Sequence, residues 1–284
     1  KMKTFFCFSF LLLTLSFFIW VNLSFASDYM YDGFSGSGVD VAKWDIDNPY
    51  GTTNGQDVVK EIVNGTYAST LRSDQAFARN QLSSQVTTFA SCQADMKLAD
   101  PGTLDTANGT EVEAEFSAKF YNKYTASPSD NNGTIWGAIE LQYGSGGLEA
   151  VWYVWESVDA DATDFYLIAN GTLVSPGSLE FDKFSTASMS YNSTANFITF
   201  AMAGQTATAA GLPEKQGPAF FPRLFLLNTI NSQTQGVVRS TQAAFDNIVA
   251  DGTSYDDFSA SQLDAGKWLY ANRRGGLELT RRVE

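Results

Sequence analysis

Along most of the chain apolar and polar residues alternate with a period of two, which turns one side of an extended segment toward a core and the other toward water. Residues 58–63 and 66–71 are such runs, separated by Asn64-Gly65, and both turn residues tolerate the positive φ that a two-residue hairpin demands. Asn-Gly recurs at Asn54, Asn108, Asn132 and Asn170, each read as a turn, the last following Phe165, Tyr166, Leu167 and Ile168. Further strands are expected over 111–121, 134–143, 148–158, 197–203, 224–229 and 244–249. In 134–143, Ile135, Ile139, Leu141 and Tyr143 share one face while Thr134, Trp136, Glu140 and Gln142 share the other, which predicts one buried face and one wet face. No helical period lasts more than a couple of turns, although Asp40 is placed to cap a short turn before Trp44. Roughly ten or more hairpin-linked strands without helices predict an all-β fold, and the alternation favours a two-sheet antiparallel sandwich over a barrel.

A long-range repeat sets the expected domain organisation. Tyr31, Asp32, Phe34, Ser35, Ser37, Asp40, Lys43 and Trp44 recur as Tyr255, Asp256, Phe258, Ser259, Ser261, Asp264, Lys267 and Trp268, eight of fourteen positions at a constant offset of 224. That period is too long for a solenoid, so the repeating unit is a domain, placed at 28–252. Residues 253–284 read as the start of a second, truncated copy, too short to bury a core alone and expected to be loosely docked.

Ahead of the domain, Lys1 and Lys3 precede an apolar run over 5–21, and Ser24 and Ala26 offer small residues for cleavage after Ala26. Residues 1–26 therefore read as a signal peptide and the protein as secreted, periplasmic or on the cell surface. An uncleaved anchor stays open, because 17 residues is near the lower limit for a span. Lys and Arg number 18 against 31 Asp and Glu, a net charge of −13, which argues against nucleic acid and, once the signal is removed, against a membrane as partner. There is no histidine, which removes Ser-His-Asp and Cys-His catalysis and imidazole metal sites. Carboxylate chemistry, hard-cation binding or binding alone remain. Cys7 leaves with the signal, and Cys92 is then a lone, structural thiol.

Three segments together resemble the concanavalin A-like lectin/glucanase jelly rolls of secreted bacterial proteins. They are the opening segment at 31–44 with its copy at 255–268, the hairpin carrying Tyr191, Asn196, Ile198, Thr199 and Gly204, and the closing strand Phe245-Asp246-Asn247-Ile248. The resemblance implies two stacked antiparallel sheets of about six strands each, with ligands on the concave face. It does not imply one function, since lectins, glycosidases and adhesins share the fold.

Glycosidases of that superfamily carry Glu-x-Asp-x-Glu on a concave-face strand, and this chain has Glu111, Glu113 and Glu115 at the same spacing. Alternation puts all three on one face, with Val112, Ala114 and Phe116 behind them. A retaining glycoside hydrolase needs two carboxyls about 5–5.5 Å apart, whereas residues four apart on a strand are separated by roughly 13 Å, so Glu111 and Glu115 would have to lean together. The plain alternative is an acidic, solvated strand. Trp136, Glu140, Gln142 and Trp152 form a second candidate, a glycan groove in which sugar rings stack on indole and hydroxyls pair with the polar groups; the alternative is that such rings fill the core. The family resemblance also implies a structural Ca²⁺ where the first and last strands meet, for which Asp32 and Asp246 are the candidate ligands, against local turn bonding by the same residues. The sequons at Asn64, Asn108, Asn132, Asn170 and Asn192 are read as turns. The expected function is an exported, non-catalytic carbohydrate-binding or adhesive module of a tandem array. A retaining hydrolase acting on a β-glucan through Glu111 and Glu115, or a structural spacer, are the alternatives.

Overall fold

A computed structural model describes residues 56–85, 89–102, 104–124, 131–215, 222–260, 263–264, 266–269 and 279–282. The chain divides into two units, 1–33 and 34–284, and every described residue belongs to the second. The signal segment 1–26, the first repeat copy with Asp32 and Asp40, and the turn at Asn54 lie outside the described residues.

Among the described residues sixteen strands follow one another: β1 (Gln56–Val63), β2 (Thr66–Ser73), β3 (Phe77–Ser84), β4 (Ser91–Leu98), β5 (Glu111–Asn122), β6 (Thr134–Gly144), β7 (Gly147–Ser157), β8 (Phe165–Val174), β9 (Ser185–Asn192), β10 (Phe197–Met202), β11 (Gln205–Ala210), β12 (Arg223–Asn231), β13 (Arg239–Ala250), β14 (Thr253–Asp256), β15 (Trp268–Leu269) and β16 (Leu279–Arg282). The only helical element among the described residues is a 3-10 turn at Thr106–Asn108. One sheet, A, runs β11-β10-β9-β4-β13-β2-β1-β16, with β14 also on β13; the other, B, runs β15-β3-β12-β5-β6-β7-β8. All pairings are antiparallel except β1 with β16. This is a two-sheet antiparallel sandwich of jelly-roll type.

The hairpin chemistry explains several of the links. Asn64 (φ 52°) and Gly65 (φ 75°) join β1 to β2, and Ala203 (φ 49°) and Gly204 (φ 78°) join β10 to β11, both in the left-handed region that two-residue turns need. Asn170-Gly171 is not a turn: it lies inside β8, opposite Tyr153 and Trp152. A Cβ on Gly171 would come within 2.9 Å of the Trp152 indole nitrogen, so this glycine serves a close approach, one of the uses of glycine within a strand.

Between the sheets, Tyr67, Leu71, Met96, Phe200 and Phe245 from sheet A meet Leu82, Phe116, Ile139, Val154 and Leu226 from sheet B, each almost fully buried. Cys92 is buried in the same core. A few polar groups cross it. Asn228 of β12 donates its side-chain amide to the Ser69 carbonyl (2.7 Å) and the Thr241 carbonyl (3.3 Å) of sheet A, and the Asn80 amide of β3 donates to Ser69 Oγ at 2.5 Å.

The described residues from Thr253 to Trp268 are firmly seated on the sandwich. Strand β14 turns back to pair antiparallel with β13, and β15 pairs with β3, while Phe258, Leu263 and Trp268 are buried in the core, the first and last only 1 % exposed. The sandwich therefore continues past the expected boundary at 252. The physical reason is that the segment carries large apolar side chains which find a seat on sheets already formed, so it needs no core of its own.

Candidate functional site

The site is built on the outer face of sheet B, the side turned away from sheet A. Alternation along β5 sends Val112, Ala114, Phe116 and Ala118 into the core and Glu111, Glu113, Glu115, Ser117 and Lys119 outward. Register then brings the outward residues of neighbouring strands alongside. Glu113 faces Gln142, Glu115 faces Glu140 and Lys119 faces Trp136 on β6; Trp136 faces Trp155 and Ala138 faces Tyr153 on β7. On the other flank Glu115 faces Leu227 and Ser117 faces Phe225 on β12, and Leu227 and Thr229 face Gln81 and Arg79 on β3.

These side chains surround a cavity of about 300 Å³. Trp136, Trp155, Phe165 and Phe225 supply aromatic surface, Leu227 and Ala162 aliphatic surface, and Arg79, Gln81, Glu115 and Ser117 the polar groups. Trp136 is held firmly. Its indole N–H donates to Ser157 Oγ at 2.9 Å, its ring meets Phe225 at 4.9 Å and the edge of Phe165 at 5.7 Å, and the Lys119 ammonium sits 4.6 Å from its centroid. Lys119 in turn donates to Asn131 Oδ1 at 2.5 Å, and Asn131 ties down the β7–β8 loop through the Ala160 carbonyl. That loop delivers Ala162 to the cavity; hydrogen bonds from Thr163 hold the Asp159 carboxyl below its usual range. Trp155 is half-buried and stacks on Tyr153, 4.8 Å between centroids and 9° between planes, with the Trp155 ring at the wall of the cavity.

The carboxylates form a dense group around one guanidinium. Arg79 lies 3.6 Å from Glu115 and donates to Thr229 Oγ1 at 3.2 Å. Glu115 Oε2 is buried and accepts no hydrogen bond. Burial pushes the Glu113 carboxyl up to about 7 against the pull of Arg79, with Glu115 and Glu111 adding to the rise. Burial, with Glu113 and Glu115 nearby, likewise raises Glu140. These groups hold protons at pH values where ordinary carboxylates have lost them.

The sequence-derived candidates fall into three places. Trp136 and Glu115 line the cavity. Glu113, Glu140 and Gln142 share its face, one or two residues along the strands, and Glu111 stands at the far end, where it accepts a hydrogen bond from Gln142 at 3.1 Å. Trp152 is on the opposite side: it pairs with Ile139, packs on the core and stacks on Phe200 at 5.0 Å. Its neighbours Tyr153 and Trp155 mask the alternation in the sequence, because three aromatics in four residues leave the facing undecided. The expected wet face of β6 is also largely covered, with Trp136 9 % and Glu140 5 % exposed; the loop after β7 and the long side chains of β3 and β12 close over it.

Arg79, Gln81, Phe225 and Leu227 were not anticipated. Strand β3 reads as polar and lacks β-branched residues, and β12 is apolar on both faces, so neither discloses its outward side. Only the Arg79/Gln81 alternation carries a signal.

Of the two candidate calcium ligands, Asp32 lies outside the described residues and only Asp246 is placed. Asp246 lies opposite Asp95 at a bulge of β13, where it accepts the Asn247 N–H; Asp95 accepts from Thr186 Oγ1 (2.5 Å) and Asn247 Nδ2 (2.8 Å). Asp256, the counterpart of Asp32, gives its oxygens to the Trp268 indole and the Phe258 N–H. Among the described residues no group of three or more ligating side chains is arranged for a metal.

No family model matches the sequence, and no curated protein matches it. The chain is similar in structure to a β-1,3-1,4-glucanase (lichenase) derived from a mouse hindgut metagenome, with 12 % identity and a TM-score of 0.42 over 78 % of this chain and 96 % of that one. It is also similar to the β-glucanase of Bacillus licheniformis (12 %, TM-score 0.39, 75 % and 97 %) and to a legume lectin-like domain from Entamoeba histolytica (9 %, TM-score 0.36, 74 % and 90 %). At these scores the likenesses carry no functional weight, and the assignment of the fold rests on the strand order.

Proposed function

We propose that this protein is an exported carbohydrate-binding module that holds a short stretch of a glycan on the outer face of sheet B, without cleaving it. The observation that carries the reading is the cavity of about 300 Å³ with aromatic walls and convergent polar groups. Its size is at the low end of ligand pockets, roughly 300–1,000 Å³, which suits one or two sugar units. Sugar rings present C–H faces to Trp136, Phe225 and Trp155, while their hydroxyls meet Glu115, Arg79, Gln81 and Ser117. Glu115 Oε2 is buried and accepts no hydrogen bond, with the Arg79 guanidinium 3.6 Å away, which favours a hydroxyl at that point, because a buried acceptor without a hydrogen bond costs about 1–3 kcal/mol. Repetition of the module along a longer chain would raise avidity for a repetitive polysaccharide even where each site is weak.

Hydrolysis through Glu111 and Glu115 gains less support, since Glu115 lines the cavity while Glu111 is engaged with Gln142 at the other end of β5. The test is affinity electrophoresis of the full chain in gels containing mixed-linkage β-glucan, xylan or laminarin, with Trp155→Ala as the probe because that ring is half-exposed. Retardation by at least one polymer that Trp155→Ala weakens about tenfold, as loss of one stacked ring of ~1–2 kcal/mol would, is the expected result. Unretarded migration in all three, or retardation indifferent to Trp155, overturns this site and leaves a spacer.

A further inference from the structure

The five sequon asparagines are alike in space as well as in sequence. Asn64, Asn108, Asn132, Asn170 and Asn192 are all exposed, and each is followed two residues on by threonine, with no proline between. Of the seven other described asparagines, Asn80, Asn122, Asn131 and Asn228 are buried and Asn196 is half-buried. Turn chemistry accounts for two of the five: Asn64 adopts φ 52°, and Asn192 Oδ1 accepts the Thr194 and Ala195 N–H groups at 3.0 and 2.9 Å. It does not account for the rest. At Asn108 and Asn132 the left-handed residue is the glycine that follows, Gly109 (φ 70°) and Gly133 (φ 76°), so the backbone there makes no demand for asparagine. Asn170 stands within β8, opposite Tyr153 on the outer face of sheet B.

An N-linked glycan is bulky and hydrated, so an asparagine carries one without breaking the fold when its side chain points into water. We infer that these five residues are acceptors for N-linked oligosaccharide in an exported chain, and that the glycan on Asn170 shields an edge of sheet B. In the transfer, the asparagine Nδ2 attacks the anomeric carbon of a lipid-linked oligosaccharide diphosphate. A carbon–nitrogen bond forms, the carbon–oxygen bond to the diphosphate breaks, the lipid diphosphate leaves and one amide proton passes to base. The amide keeps its second N–H, so Asn108 still has a donor for Asp105 Oδ2, its partner at 2.7 Å. Strand β8 is the last strand of sheet B among the described residues. It has no charged residue, and its Phe165, Tyr166 and Leu167 are 40, 64 and 44 % exposed. A bare apolar edge of that kind invites pairing with another chain, and a sugar chain standing on the strand obstructs it. Asn170 is five residues from Phe165, roughly 17 Å along an extended strand, so the point of attachment lies well away from the cavity wall.

The test makes the full chain in a eukaryotic host behind a cleavable secretion leader and recovers it from the medium and the secretory compartments. Peptide N-glycosidase in heavy-oxygen water then converts each occupied asparagine to labelled aspartate, read by mass spectrometry. Occupancy at all five is the expected result. A site left empty throughout overturns the assignment of that residue, and an empty Asn170 overturns the shielding as well. Tyr124→Thr tests whether exposure decides, because it makes buried Asn122 head a sequon through a change at an exposed position. The secreted variant should carry no glycan on Asn122, or the variant should be retained while Tyr124→Val is secreted; full occupancy of Asn122 in secreted chains overturns the argument from exposure. Light scattering reads the shielding. Asn170→Gln and Thr172→Ala remove the same glycan at different residues, and both should raise the average mass of the folded protein above the parent's by association. A mass that falls by the lost glycan alone overturns the role given to Asn170.

Discussion

Glu113→Gln tests whether the outer face of sheet B holds a proton. Glu113 lies between Glu111 and Glu115 on β5, opposite Gln142, and is 8 % exposed. Burial carries its carboxyl from 4.5 to about 7, with Arg79 opposing and Glu115 and Glu111 reinforcing. The native state thus binds this proton more tightly than the unfolded chain does. Its contribution to stability is complete below pH 4.5 and is lost as pH rises through 7. At ~1.4 kcal/mol per pKa unit the loss amounts to roughly 3 kcal/mol. Glutamine keeps the shape and is neutral at every pH, so the variant should match the parent near pH 4.5 and exceed it by up to ~3 kcal/mol near pH 8. The slope is reduced, not abolished, because Glu140 is raised in the same direction. Urea unfolding at constant ionic strength from pH 4.5 to 8.5 measures both curves. Parallel profiles for the two chains, or a variant that loses ground as pH rises, would refute the reasoning.

Three further outcomes are expected. Gly171→Ala should cost about 1–3 kcal/mol in thermal unfolding, since the added methyl meets the Trp152 indole at 2.9 Å; an unchanged Tm would mean that β8 moves aside freely. Gly65→Ala should cost about 1 kcal/mol because φ is +75° in the β1–β2 turn, and a stabilised variant in the same melt would contradict the turn geometry. Cys92, whose thiol is pushed up by burial with Asp251 adding to the effect, should ignore an aromatic disulfide reagent at pH 8 until urea unfolds the chain; prompt labelling of the native protein would contradict its burial.

The two-layer architecture was legible because β1, β2, β5, β6, β7, β10, β12 and β13 carry strong periodic or apolar signals. Strands β3, β4, β9 and β11 escaped notice. Apart from Leu82 and Leu98, most of their inward positions are filled by Ala, Asn, Ser, Cys and Met, residues with little strand preference, which are tolerated because neighbouring strands dictate the pairing. The carboxylate row on β5 was readable from alternation alone. Its guanidinium partner was not, since Arg79 reaches Glu115 across β12 and only the strand order brings them together. In the second copy of the repeat Asp256 accepts the Trp268 indole N–H, and a buried tryptophan with a carboxylate acceptor helps seat a short segment on an existing core.

The amide of Asn228 has a consequence for how sharply the protein is defined. Two greasy layers resist separation but offer little objection to sliding by one pleat. A side chain that reaches from one layer to the Ser69 and Thr241 carbonyls of the other forbids that slip, much as a dowel fixes two planks. Leucine there would keep the layers together while letting them shear, and the outer-face groups of β12, Phe225 and Leu227 among them, would no longer hold a fixed position relative to the opposite layer.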